Sequence, residues 1–201
     1  TNNSAVDGGG INCFSNASPS FVNVTFSGNS ANYGGGIFCH NNSSPSLVNC
    51  ILWNDAPEEI YFDDSFISNS IMIAYSDIQG DSAGIITNNN GTVYWEDGNI
   101  DANPLFCNPD SSDYNLAENS PCVGTGENGA NMGAFGVGCG QISIAPVLSD
   151  IDDQQITEDG SVTLEISATS DMGLDMTFSV YSDTSDVIVS LDNTTLTATP
   201  S

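Results

Sequence analysis

Five carboxylates lie within one short stretch of this chain: Glu58, Glu59, Asp63, Asp64 and Asp77. Hydrolysis of a glycosidic bond needs two carboxyl groups at a defined separation, one to protonate the leaving oxygen and one to attack or activate water. This stretch could supply such a pair. The remaining reactive side chains are six cysteines and a single histidine, His40. Zinc is disfavoured, because there is no Cys-x-x-Cys pair and one histidine does not complete a usual ligand set. His40 follows an inward cysteine in a strand pattern and is expected to face outward as an ordinary surface residue. No GxSxG, HExxH or phosphate-loop motif occurs. The glycine triplets at 8–10 and 34–36 are not phosphate cradles either, since no helix follows them. No catalytic residue is assigned, and no cofactor is expected.

The charge balance narrows the partners. There are 26 acidic residues and no lysine or arginine, for a formal net charge of −26. Nucleic acid and anionic membrane surfaces are excluded by that sign, and direct membrane insertion by the lack of an apolar run of ~20 residues. A polyanionic polysaccharide would be repelled as well. Six cysteines among many Asn, Ser and Thr suit an extracellular, secreted or cell-surface protein. Asn-x-Ser/Thr triplets occur at Asn2, Asn16, Asn23, Asn41, Asn42, Asn90 and Asn193; chance explains most of them in such a composition, which leaves glycosylation open.

The elements that would position these groups come from a repeat. Residues 5–30 and 31–56 align without a gap and share 12 of 26 positions. The glycine triplets coincide, as do Cys13 and Cys39, Pro19 and Pro45, and Val22-Asn23 with Val48-Asn49. A fixed period with turn residues at fixed places marks a stacked architecture. Each repeat contains two segments alternating with period 2, the strand signature. Ile11 and Cys13 point inward in the first; Val22, Val24 and Phe26 are expected to do so in the second. Their equivalents are Ile37 and Cys39, then Val48, Cys50 and Leu52. Stacked copies would turn Cys13/Cys39, Val22/Val48, Cys50 and Leu52 into core ladders ~4.8 Å apart. Cys13 and Cys39 become neighbours, where a disulfide and a pair of buried free thiols both fit. A third coil follows, with Ile60 matching Ile37 after 23 residues and Ala74, Ser76 and Ile78 matching Val48, Cys50 and Leu52 after 26. Residues 81–98 look irregular apart from a strand at 92–95. The first residues, TNNS, match a repeat's end, so the chain is expected to begin within an array.

GGGI-x-C followed by SPS-x-V-N-[C/V] resembles a repeat of secreted bacterial proteins of the pectin-lyase-like superfamily. The resemblance implies a right-handed parallel β-helix. The Asn99–Phe106, Tyr114–Leu116, Ser120-Pro121-Cys122 and Asn131–Phe135 segments resemble the ending such proteins carry. Residues 1–140 thus divide into coils (1–98) and a cap (99–140), with Leu105, Phe106, Leu116, Met132 and Phe135 expected over the open end. The resemblance makes Cys122 a buried residue of the cap motif, leaving Cys107 and Cys139 as the disulfide clamping its ends. Superfamily members include polysaccharide lyases and glycosidases, but those acting on acidic polysaccharide use Lys or Arg, which this chain lacks.

Composition changes at Gln141. Segments 162–167, 176–181, 187–191 and 195–199 read as strands spaced by Asp, Gly, Ser and Asn turns, which suggests a β-sandwich. Ala145-Pro146-Val147-Leu148, the 158–164 stretch and Thr177-Phe178 resemble cadherin-like or immunoglobulin-like modules of bacterial surface proteins. Residues 141–201 are therefore expected to form an immunoglobulin-like sandwich, incomplete at Ser201. The resemblance allows calcium at Glu158, Asp159, Asp171 and Asp175, though Ser170, Met172 and Leu174 stand where the motif has aspartates. The whole is read as an all-β, non-enzymatic structural or adhesive protein. Its expected partners are copies of itself, a neighbouring surface protein, or neutral glycans; the alternative is a carbohydrate-active enzyme with a groove on the β-helix.

Overall fold

A computed structural model describes residues 1–64, 67–142, 147–148, 161–165, 168–169, 187–192 and 195–200. It divides into two units, 1–142 and 143–201, and among the described residues there is no α-helix. Among the described residues no helix is long and apolar enough to cross a membrane.

The first unit is a parallel β-solenoid of about five turns. Each full coil contributes a strand to each of three sheets. The first coil holds β1 (Ile11–Phe14), β2 (Ser20–Val22) and β3 (Thr25–Ser27). The second holds β4 (Ile37–His40), β5 (Ser46–Val48) and β6 (Ile51–Trp53). The third holds β7 (Ile60–Phe62), β8 (Asn69–Ala74) and β9 (Asp77–Ile78). Next comes β10 (Gly91–Trp95), beside β8. The sheets run β1-β4-β7, β2-β5-β8-β10 and β3-β6-β9, all parallel. The registers match the repeat: Cys13 opposite Cys39, Ile37 opposite Ile60, Val48 opposite Ala74, Leu52 opposite Ile78.

Two strands per repeat were expected, and there are three. The second expected strand breaks at Asn23, whose φ is 55°, and again at Asn49 (54°) and Tyr75 (49°) in the next coils. A left-handed residue turns the chain through a corner, and asparagine enters that region more readily than most residues. The corner also reverses the expected facing of Val22 and Val48. Val22 is exposed and Val48 half-buried, while Phe21 and Leu47 take the inward places. Cys13, Cys39, Cys50 and Leu52 do face the core, which continues through Phe26, Ile37, Ile60, Phe62, Ile71, Ile73 and Ile78. Cys13 and Cys39 are free thiols.

Left-handed residues recur with the repeat at other corners, including Ser15 with Asn41, Asn16 with Asn42, and Gly8 with Gly34. At Gly34 φ is 61°, and a β-carbon would lie 2.5 Å from the Ile37 carbonyl oxygen. At Gly35 it would meet the backbone of Ala56 in the next coil, so the triplet lets successive coils approach.

Residues 81–98 are not irregular. Ile86 bridges to Tyr61 on the first sheet, β10 joins the second, and Ile100 bridges to Asp77 on the third, which completes another coil.

The closing segment also sits elsewhere than expected. It contains β11 (Phe106–Asn108), β12 (Asp113–Ala117) and β13 (Val137–Cys139), with β11-β12 antiparallel and β12-β13 parallel. Phe106, Tyr114, Leu116, Cys122 and Met132 pack with Ile51 and Trp53, which point outward from the third sheet. Gly133 N–H donates to the Asn49 carbonyl (2.7 Å), Ala134 N–H to Thr25 Oγ1 (3.0 Å), and Asn2 Nδ2 to the Tyr114 hydroxyl (2.9 Å). The segment therefore lies along the flank of the third sheet, touching residues from several coils. The apolar outward positions Ile51 and Trp53 demand such a cover. Leu105 is buried, but Phe135 is exposed and does not join this packing.

Cys107 and Cys139 form a disulfide with Cα atoms 5.9 Å apart, closing a separation of 32 residues. Replacing both with serine should lower the stability of this unit by about 3–4 kcal/mol in the chain-entropy model. A denaturation midpoint unchanged by the double substitution, or by reductant, would contradict that.

In the second unit β14 (Val147–Leu148) pairs antiparallel with β16 (Ala168–Thr169). A second antiparallel sheet runs β15 (Val162–Glu165), β18 (Thr195–Pro200), β17 (Val187–Asp192). The expected strand at 176–181 and the calcium candidates Glu158, Asp159, Asp171 and Asp175 lie outside the described residues.

Candidate functional site

The five clustered carboxylates do not converge on one site. Glu58 Oε1 accepts the Gly34 N–H at 2.6 Å and serves a corner. Glu59 and Asp77 are buried, while Asp63 and Asp64 stand at the surface of the first sheet.

Glu59 ends a polar ladder. Asn3, Asn29 and Asp55 occupy equivalent corner positions 26 residues apart. Asn29 Oδ1 accepts the Asn3 N–H (3.0 Å) and Nδ2 (2.9 Å). Asp55 Oδ1 accepts the Asn29 N–H (2.7 Å) and Nδ2 (2.8 Å), and the Asp55 N–H donates to Glu59 Oε1 at 3.1 Å. Each side chain thus satisfies a backbone donor of the adjacent corner. The remaining oxygens, Asp55 Oδ2 and Glu59 Oε2, are buried with no hydrogen-bond partner. Burial, then the Asp55 charge, raises the Glu59 carboxyl to about 10. Burial raises Asp55 too, against the hydrogen bonds it accepts from Asn29.

Asp77 lies between the third sheet and the closing segment. Its Oδ1 accepts the Ala102 N–H at 3.1 Å and its Oδ2 the Cys122 thiol at 3.0 Å. Burial lifts its pKa to about 7, opposed by these two hydrogen bonds. The Cys122 thiol is pushed upward by burial and by the Asp77 charge, and is inert as a nucleophile. In the core, the Cys39 thiol is raised by its hydrogen bond with Cys13 and by burial. Burial raises Cys50 to about 11. These groups hold coils together and are closed to substrate.

The open site is on the outer face of the first sheet. Asp7, Tyr33, Phe38, Tyr61, Asp63 and Asp64 line a hollow of about 250 Å³. Strand alternation places it: Ile37, Cys39, Ile60 and Phe62 face the core, leaving Phe38, His40 and Tyr61 outward. Phe38 is register-paired with Tyr61, their rings stacked at 5.7 Å, and Tyr33 tilts against Tyr61 at 4.9 Å. His40 is outward as expected but not isolated. It stacks on Phe14 at 4.2 Å, contacts Phe38 at 5.4 Å, and sets Nδ1 4.0 Å from Asp63 Oδ2. Among the described residues no group of three or more His, Cys, Asp and Glu is placed to hold a metal ion.

Neither the polar ladder nor the aromatic hollow was singled out from sequence. Both had a signal: Asn or Asp at a 26-residue interval, and aromatic residues at the outward positions of paired strands. Comparison with protein-family models, curated proteins and solved structures finds no match.

Proposed function

We propose that this chain serves as a non-enzymatic structural or adhesive element of an extracellular protein, with the solenoid as a rigid scaffold. The observation behind this reading is where the carboxylates go. Asp55, Glu59 and Asp77, the most perturbed acids of the solenoid, are spent on stacking coils and seating the closing segment. A glycosidase needs its two carboxyl groups in an open groove with room for a sugar. Here the groups with raised pKa face the interior. A scaffold needs what this one has: backbone donors satisfied from coil to coil, and inward rows of Ile, Leu, Phe and Cys. Its partners would be further copies of the chain or a neighbouring surface protein. Corner turns rich in Asn and Ser, such as 15–20 and 41–46, offer hydrogen bonds to neutral glycans.

Imaging the native particle tests the reading. A repeating filament, sheet or surface-anchored array is expected. A monodisperse monomer that cleaves a polysaccharide would overturn it in favour of a carbohydrate-active enzyme.

A further inference from the structure

We infer that the hollow on the outer face of the first sheet is a binding site for an alkylated ammonium headgroup. The lining consists of three aromatic rings and three carboxylates: Tyr33, Phe38 and Tyr61 with Asp7, Asp63 and Asp64. Charged acceptors outnumber donors there, and the tyrosine hydroxyls are the only hydrogen-bond donors among the lining side chains. A neutral sugar offers both donors and acceptors and would leave negative charge uncompensated. The complementary ligand brings positive charge and an apolar surface together.

Ring geometry adds the second half. Tyr61 lies 4.9 Å from Tyr33 and stacks at 5.7 Å on Phe38, which is itself only 7% exposed, so Tyr33 and Tyr61 carry the open aromatic surface. The face of an aromatic ring carries negative quadrupolar potential and attracts a cation within about 6 Å of its centroid. A metal ion gains little from this lining, because calcium asks for 6–8 oxygen ligands and ring carbon supplies none. At about 250 Å³ the hollow falls near the lower limit for small-molecule pockets, which suits a headgroup. No lysine or arginine exists in the chain to fill it from within, and the net charge of −26 draws cations to the surface. His40, beside the rim at Asp63, is the single side chain that can carry positive charge there. This inference depends on the hollow alone and holds whether or not the chain assembles.

Titration of the whole chain with tetramethylammonium chloride, followed by calorimetry and by the NMR shifts of ring protons, tests it. The expected result is saturable binding at one site, with Tyr33, Phe38 and Tyr61 signals moving together. Tyr61→Leu keeps an apolar side chain but removes the π face, and should weaken binding by about 5- to 30-fold. Asp63→Asn leaves the rings in place and should weaken it by up to about 5-fold. Asp63→Asn should keep the parent's unfolding midpoint to within the small range typical of surface changes. Tyr61→Leu gives up its ring contacts with Tyr33 and Phe38 and lowers it, so binding is compared well below both midpoints. Equal binding of the neutral isostere tert-butanol would overturn the inference, as would full displacement by an equivalent of calcium. Binding unaffected by both variants would do the same. Failure of tetramethylammonium to bind at all would sink it while leaving the scaffold reading intact.

Discussion

Asn29→Ala is expected to destabilise the solenoid unit by about 1–3 kcal/mol, although it deletes only a small polar side chain. Asn29 is 1% exposed and joins two corners at once. Its Oδ1 takes two donors from Asn3, and its Nδ2 gives one to the Asp55 carboxylate. Alanine would release the Asn3 donors to solvent, since Asn3 is exposed, and leave the buried Asp55 Oδ1 with the Asn29 backbone N–H alone. Losing one partner of a buried polar group costs the desolvation of the group left behind. Ser44→Ala makes the control. Ser44 also bridges to the next coil, its Oγ 2.7 Å from Ser70 Oγ, but the pair is exposed. Water replaces that bond, so a change within about 0.5 kcal/mol is expected. The two tryptophans, Trp53 and Trp95, both belong to the solenoid unit, so their fluorescence during urea unfolding reports on it alone. Similar small losses for both variants would show that the buried ladder contributes nothing special.

The same ladder shows what was legible in the sequence. The repeat itself was plain, because the glycine triplet, Cys13/Cys39 and Pro19/Pro45 return at 26 residues and the coils pair in that register. The third sheet was hidden by Asn23. Val22-Asn23-Val24 alternates like a strand, and nothing in period 2 distinguishes a polar outward residue from a left-handed corner. Asparagine at both 23 and 49, inside otherwise apolar runs, was the available cue. The flank position of the closing segment was hidden for a different reason. End caps and flank covers are both atypical units rich in apolar residues, and only the outward Ile51 and Trp53 say which surface needs covering. The aromatic hollow was missed because its lining comes from three different stretches of chain. Asp7, Tyr33, Phe38, Tyr61 and Asp63 become neighbours only once coils are stacked. Long-range polar partners such as Asp77 and Cys122, 45 residues apart, have no sequence signature at all.

Stability of the solenoid unit should rise as pH falls from about 8 toward 5, the reverse of ordinary acid denaturation. Asp77 is half-ionised near pH 7 in the folded chain because burial opposes its charge, whereas an unfolded aspartate ionises near 4. Between those values the unfolded chain has released a proton that the folded chain retains. Stability then falls with rising pH, since the folded state binds more protons. The contribution is fully present below about pH 4 and is lost as pH climbs through about 7, an amount on the order of 4 kcal/mol. Asp55 and Glu59 are raised as well and act with the same sign, extending the fall to more alkaline pH. The net charge of −26 adds a general term, because neutralising surface acids relieves self-repulsion. The two origins separate experimentally. Repulsion among exposed acids is screened in ~0.5 M salt, while a proton held on buried Asp77 is not. Asp77→Asn keeps one side-chain oxygen to accept the Ala102 N–H, turns its NH2 toward the Cys122 sulfur, and cannot ionise. In high salt it should flatten the pH profile between about 4 and 7 and leave the variant more stable than the parent at pH 8. Glu59→Gln should flatten the alkaline part and leave the Asp77 portion in place. A parent whose unfolding midpoint does not vary with pH in high salt, or an Asp77→Asn variant with an undiminished slope, would mean that Asp77 is ionised in the folded chain. The Cys122 thiol would then be donating to a permanent carboxylate, and that hydrogen bond would hold the closing segment against the third sheet at every pH.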